Sequence, residues 1–168
     1  LDRRGDCVAS IKFSANMPSV GADASHVQKK QRSQEGKFPA KLVESLRELY
    51  SQGSVFEGEG TAEVMDGLIK ISARCRDKRG ISNLMHNPGH VLVMVFVSLY
   101  EGKESLEGIH SHVKEQEAWF HEYLPLVFGI PSVKTISMVL SNSNADEVLD
   151  RMAAFVREKT TSQFEMLN

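Results

Sequence analysis

Basic side chains that can bind phosphate are concentrated in two short stretches of this sequence. The stretch from residue 70 to residue 79 has Asp77 as its acidic residue, and its basic residues are Lys70, Arg74, Arg76, Lys78 and Arg79. The stretch 26–37 contains Lys29, Lys30, Arg32 and Lys37. Clustered lysine and arginine side chains neutralise the phosphates of nucleic acids. Charge clusters also occur on ordinary solvated faces, so both interpretations stay open.

Histidines raise a second chemistry, the binding of a metal ion. His86 and His90 are four residues apart, and His110, His112 and His121 follow them. Asn87 and Pro88 interrupt the helical spacing of the first pair, and the sequence has no H-E-x-x-H motif. We therefore expect no metal ligands and no cofactor.

Catalytic chemistry is not indicated either. Cys7 and Cys75 form no C-x-x-C pair, and neither has an adjacent histidine or helix start that would mark a nucleophile. The sequence has no Gly-rich phosphate loop, and its paired carboxylates are expected on exposed helix faces. We predict no catalytic residues and a chain that is not an enzyme. Two isolated cysteines are typical of a reducing compartment.

Composition is that of an ordinary globular protein. The 168 residues are 41% hydrophobic and 25% charged, with a formal net charge of −2 at pH 7. The longest apolar run, residues 91–100, is about half of the length that a membrane crossing requires. No signal peptide pattern opens the sequence. These features predict a cytoplasmic protein without a membrane partner.

Apolar periodicity predicts an all-α, multi-helix protein. One amphipathic stripe starts near Pro39 and ends before Gly53, and a second follows Thr61, which we expect to cap its helix. A buried helix is predicted from Asn87, as the N-cap before Pro88, to Gly102. The valines at 91, 93, 95 and 97 favour a strand, but the length and the caps favour the helix.

Three further segments continue the helical pattern. Short helices are predicted at about 105–114 and, with aromatic residues, at about 118–124. Asn144 and Glu147 resemble a capping box that starts a long amphipathic helix, which we expect to end near Lys159. The predicted core consists of Val91, Leu92, Val95, Phe96, Leu99, Trp119, Phe120, Ile136, Leu140, Leu149, Met152 and Phe155.

A rigid corner lies between the aromatic helix and the next one. In residues 128–136, Gly129 can adopt positive φ after a helix, Pro131 stops that helix from continuing, and Ser132 can cap the following turn. This order predicts a helix-turn-helix-like corner.

The order and spacing of these segments carry a family resemblance. Residues 100–102 (Tyr-Glu-Gly), 105–109 (Ser-Leu-Glu-Gly-Ile), 119–125 (Trp-Phe to Leu-Pro) and 129–136 follow one another before a long amphipathic helix. In this order the chain resembles the N-terminal "associated" domain of the H-repeat-associated DDE transposases of bacterial insertion sequences. The resemblance runs from about Asp77 to about Lys159.

The resemblance implies a DNA-binding or accessory domain that acts at the ends of an insertion sequence. Full-length members carry an RNase H-like catalytic domain with an acidic triad, and we expect this chain to lack it. The expected DNA-binding residues are Lys70, Arg74, Arg76, Lys78, Arg79, Lys134, Thr135 and Ser137. Expected partners are insertion-sequence DNA and also a second copy of the chain or a catalytic transposase.

A protein-interaction module without DNA affinity, either a transposase remnant or a domesticated fragment, is the alternative. It is favoured by the net negative charge and by Met138, which stands where we expect arginine in the family. The predicted division of the chain is a disordered basic tail over 1–37, an amphipathic helical pair over 38–76, the transposase-associated domain over 77–160 and a C-terminal tail over 161–168.

Overall fold

A computed structural model describes residues 38–80 and 85–167 of the chain. These residues form helices and no strand, so the all-α prediction is confirmed. The helices are α1 (Ala40–Ser51), α2 (Thr61–Ser72), α3 (Pro88–Tyr100), α4 (Leu106–Glu115), α5 (Glu117–Tyr123), α6 (Val133–Asn142) and α7 (Ala145–Leu167). The predicted disordered tail over 1–37 lies outside the described residues.

Helix α3 is the centre of the fold. Gly89 and every residue from Val91 to Tyr100 are buried. Helices α1, α2, α4, α6 and α7 all pack against it. A helix that is apolar on all sides is stable only when other elements surround it, which explains why the valine-rich segment is helical here. Its caps are as predicted, since the Asn87 side chain accepts hydrogen bonds from the N–H groups of Gly89 and His90.

The predicted Ser132 cap is present, and Ser105 caps a further helix. The Ser132 hydroxyl accepts from the N–H of Thr135 at the start of α6, and Gly129 has φ +74° in the turn before it. The Ser105 hydroxyl accepts from the N–H of Gly108 at the start of α4. The predicted Ser132 cap and the positive φ of Gly129 are therefore formed, but Pro131 does not stop α5, because α5 already ends at Tyr123. The helix-turn-helix-like corner stays a prediction.

Thr61 does not cap α2, so that prediction was wrong. Gly60 occupies the N-cap position, and no side chain caps this helix. Thr61 is the first helical residue, and its buried hydroxyl donates to the carbonyl of Gly58 at 2.9 Å. The hydroxyl closes the preceding turn because the chain reverses through Gly58, which has φ +95°.

Helix α7 is longer than predicted. It continues to Leu167, about two turns beyond the expected end near Lys159, so residues 161–167 continue the helix. Its last buried residue is Thr160, whose hydroxyl donates to the carbonyl of Val156. Helices α1 and α2 pack against α7, and residues 38–167 belong to one compact unit. The division at residue 77 stays a prediction.

The predicted core is present. Most of its members are buried, while Trp119, Leu140 and Phe155 are partly buried and pack against it. The core also contains a group that the sequence analysis did not include, from α1, α2 and the loop between them: Leu42, Leu46, Leu49, Val55, Phe56, Val64, Met65 and Leu68. One close approach fixes α2 against α3, because a Cβ on Gly89 would lie 2.6 Å from the carbonyl oxygen of Ser72.

We predict that Phe96→Ala lowers the free energy of unfolding by about 3–5 kcal/mol, because it leaves a cavity under the fully buried ring. Urea unfolding followed by circular dichroism measures this change. Phe164→Ala is the matched control: Phe164 is 50% exposed on α7, and its loss should cost less than about 0.5 kcal/mol. Equal costs for the two variants would contradict the central position of α3.

Candidate nucleic-acid interface

Residues 74–79, here called the basic segment, connect α2 to the region before α3. Their side chains alternate in exposure: Arg74, Arg76 and Lys78 are exposed, whereas Cys75, Asp77 and Arg79 are partly buried. Turns at residues 73–74 and 78–79 flank the short stretch 75–77. The segment therefore exposes three positive charges to solvent.

Hydrogen bonds hold the basic segment against the turn between α6 and α7. The N–H of Lys78 donates to the carbonyl of Asn142 at 2.8 Å, and Asp77 and Ser143 form an antiparallel bridge. The Asn144 side chain forms two hydrogen bonds with the backbone of the segment. Its Oδ1 accepts from the N–H of Arg76 at 2.7 Å, and its Nδ2 donates to the carbonyl of Arg74 at 3.2 Å. The backbone of the segment is thus fixed by groups that are distant in sequence.

An ion pair within the segment adds to this rigidity. Arg79 donates through Nε and Nη2 to both carboxylate oxygens of Asp77, with a shortest distance of 2.7 Å. The side chain of Asp77 is only 2% exposed and that of Arg79 is 21% exposed. The hydrogen bonds from the Arg79 side chain lower the pKa of Asp77 below its usual value. Arg79 is therefore engaged inside the protein, unlike its three basic neighbours.

The three exposed side chains differ from Arg79 in this respect. Within residues 38–80 and 85–167, Arg74, Arg76 and Lys78 form no salt bridge. Lys70, in the last turn of α2, pairs with Asp66 at 2.8 Å, and both of these side chains are well exposed. Such exposed pairs are weak and can exchange for another anion.

The remaining predicted residues lie at the other end of α6. Lys134 is exposed in the first turn, whereas Thr135 and Ser137 are half-buried. The Thr135 hydroxyl lies 3.0 Å from that of Ser132. Eight residues of helix separate Lys134 from Asn142, which corresponds to about 12 Å. Helix α6 therefore joins two basic sites, the basic segment and Lys134, without bringing them into contact.

Asn144 also lies directly before α7, where the sequence analysis placed the start of this helix, and its Nδ2 donates to the carboxylate of Glu147 at 3.4 Å. The sequence analysis did not predict that its Oδ1 accepts from the N–H of Arg76. This contact has no local sequence signal, because the donor is 68 residues away in sequence.

The other chemically active side chains do not assemble into a centre. No group of three His, Cys, Asp or Glu side chains among the described residues is placed to hold a metal ion. Burial lowers the pKa values of His86 and His90, and it raises the pKa of the Cys75 thiol, which makes this thiol less reactive near neutral pH. In the described part of the chain, no helix has the length and apolar content that a membrane crossing needs.

Comparison with known proteins gives one match. The sequence model of a family described as DDE_Tnp_1-associated matches residues 72–156, which is half of the chain. The matched region begins at the end of α2, includes the whole basic segment and ends within α7. No curated protein and no solved structure matches the chain.

We predict that Asn144→Ala loosens the basic segment while the fold is retained. It removes two hydrogen bonds to that segment and should lower the free energy of unfolding by about 1–2 kcal/mol. Hydrogen exchange at the amide of Arg76 should become faster. Asn142→Ala is the matched control, because the Asn142 side chain donates to the carbonyl of Met138 in its own helix. If the Arg76 amide exchanges at the same rate in both variants, the proposed anchoring role of Asn144 is wrong.

Proposed function

The chain belongs to the DDE_Tnp_1-associated family and is a transposase-related protein, and on this premise we propose that it is a DNA-binding accessory domain of an insertion-sequence transposase. Its proposed role is to hold or pair the ends of the element. Strand cleavage and transfer belong to an RNase H-like catalytic domain, on the same polypeptide or on another. The matched region is an associated part of DDE transposases and not their catalytic domain.

One observation carries the DNA-binding part of this proposal, namely the anchored basic segment inside the matched region. Arg74, Arg76 and Lys78 are exposed on a backbone that Asn142 and Asn144 fix. A fixed backbone loses less conformational entropy when phosphate binds than a mobile tail does. Each of these three cationic side chains can neutralise one phosphate.

The proposed contacts divide into positioning and recognition. Arg74, Arg76 and Lys78 bind phosphate, and Lys70 joins them by exchanging Asp66 for phosphate. Arg79 supports this surface through its pair with Asp77. Lys134, at the start of α6, is the candidate for base contacts. The half-buried Thr135 and Ser137 are secondary candidates on the same helix. A net charge of −2 is compatible with this arrangement, because phosphate binding depends on local positive charge.

A protein-interaction module is the second candidate, and exposed apolar side chains favour it. Met85 is 64% exposed, Val127 81% and Phe128 58%. These side chains line one groove with a volume of about 220 Å³, together with His86 and His90. Exposed apolar patches often mark protein interaction sites. A catalytic transposase or a second copy of the chain is the corresponding proposed partner.

We predict that the triple variant Arg74→Ala, Arg76→Ala, Lys78→Ala weakens the binding of insertion-sequence end DNA and of a scrambled duplex to the same extent. Its salt dependence should also become shallower, by about one unit of the log–log slope for each lost phosphate contact. Fluorescence anisotropy with labelled duplexes at several salt concentrations measures both quantities. Lys134→Ala should instead change the preference between the two duplexes, if Lys134 contacts a base edge.

The matched control is the triple variant Lys41→Ala, Lys103→Ala, Lys114→Ala, which removes the same charge from other exposed positions. It should retain most of the affinity, since it leaves the basic segment intact. If both triple variants bind equally well, or if the unaltered chain binds no DNA at low salt, the DNA-binding proposal is wrong. The interaction module is then the better explanation of the family match.

A further inference from the structure

A small cavity lies at the C-terminal end of α3, away from the basic segment. Its volume is about 280 Å³, and its walls come from the α1–α2 loop, α3, α4 and the start of α5. Ser72, the last residue of α2 and two residues before the basic segment, approaches Gly89 at the opposite end of α3. The separation of twelve positions between Gly89 and Glu101 corresponds to about 18 Å of helix. The cavity is therefore a separate feature, and conclusions from it do not depend on DNA binding.

Two carboxylates line this cavity. Glu57 comes from the α1–α2 loop, and Glu101 follows the last residue of α3. Burial, followed by the negative charge of Glu57, raises the pKa of Glu101 above its usual value. In the part of the chain that the structure describes, neither carboxylate forms a salt bridge. The walls of the cavity thus carry two acidic groups and no lysine or arginine, while the positive charge of Lys103, outside the lining, acts on both Glu101 and His112.

An imidazole adds a third acceptor. The Nδ1 of His112 lies 2.9 Å from the Ser98 hydroxyl, and this hydroxyl donates its proton to the carbonyl of Met94. When the single hydroxyl proton points to Met94, Nδ1 of His112 is the donor in the first bond and Nε2 of the neutral ring is an acceptor. Burial lowers the pKa of His112, which favours this neutral form.

Aromatic rings complete the walls. Phe56 and Trp119 both line the cavity, and their rings are nearly perpendicular, with an interplanar angle of 87° and 6.0 Å between centroids. Ring faces attract organic cations, and carboxylates and imidazole nitrogens accept hydrogen bonds from them. A primary ammonium has three N–H donors, which equals the number of acceptor groups here: Glu57, Glu101 and His112.

We propose that this cavity binds a primary alkylammonium group, either from the lysine side chain of a partner polypeptide or from a free polyamine. The volume is below the range of pockets for drug-sized ligands, which begins at about 300 Å³, and suits one head group with a short alkyl stem. The apolar wall, which includes Val97, covers the stem, while the two carboxylates compensate the charge.

The fluorescence of Trp119 can report binding, because Trp119 is the one tryptophan of the sequence and lines the cavity. With excitation of tryptophan at constant ionic strength, n-butylammonium chloride should change its fluorescence in a saturable manner, whereas n-butanol should not. The double variant Glu57→Gln, Glu101→Gln should weaken the binding at least tenfold. Glu44→Gln, an exposed position on α1, is the matched control and should bind like the unaltered chain. Circular dichroism verifies that each variant is folded.

Two probes distinguish the sources of the ammonium group. Spermidine represents a polyamine, and a blocked Gly-Lys-Gly peptide represents a lysine side chain. Saturable binding of either probe that is lost in the double variant supports the site, and the tighter probe identifies the source. The proposal is wrong if neither probe nor n-butylammonium binds saturably, or if the double variant binds them as tightly as the Glu44→Gln control. Either result leaves the DNA-binding experiment unaffected.

Discussion

The burial of α3 on all sides is the constraint on which the rest of the structure depends. A helix with no polar face is unstable in water, so the five helices around it must each contribute an apolar stripe. This requirement fixes the relative positions of helices that are distant in sequence. It brings α2 and α7 together and thereby places the basic segment beside the α6–α7 turn. This packing gives the basic side chains of that segment defined positions, which a mobile basic stretch does not have.

The two ends of α3 have different chemical environments, and each follows from how the helix begins or ends. At its start, Gly89 permits the close approach of Ser72, the last residue of α2. The basic segment follows Ser72 and therefore begins near this end of α3. At its end, Tyr100 donates to the carbonyl of Gly53 and accepts from the N–H of Val55, which holds the α1–α2 loop in place. That loop supplies Phe56 and Glu57 to the cavity. A single central helix therefore separates a positively charged surface from an acidic one.

Much of the fold was predictable from the sequence because its determinants are local. Asn87 before Pro88, Ser105 and Ser132 each cap the helix that follows, and their signals lie within three residues of the bonds they form. The family resemblance was also predictable and is confirmed over residues 72–156. Thr61 shows where local reasoning fails, because its hydroxyl can bond either to the following turn or to the preceding one, and the course of the α1–α2 loop decides between them.

The candidate site was predictable only in its composition. The sequence shows that basic residues are clustered, but it does not distinguish Arg79, which is engaged by Asp77, from Arg76, which is exposed. That difference depends on the bridge between Asp77 and Ser143 and on the hydrogen bonds of Asn144, whose partners are almost 70 residues away. The alternation of exposed and buried side chains is visible only once this bridge is known, because residues 74–79 lack the apolar alternation by which a strand is usually predicted.

The separation of charges has a consequence for how the chain would approach a polyanion. Arg74, Arg76 and Lys78 attract phosphate, while Glu57 and Glu101, at the far end of α3, repel it. Exposed charges interact over about 8–10 Å at physiological ionic strength, and α3 is about 18 Å long, so the two effects do not cancel. Under the proposed function, a chain with a net charge of −2 would bind DNA with its acidic end directed away. In that proposed complex the cavity beside Trp119 would stay accessible to the proposed ammonium ligand while the basic segment contacts phosphate.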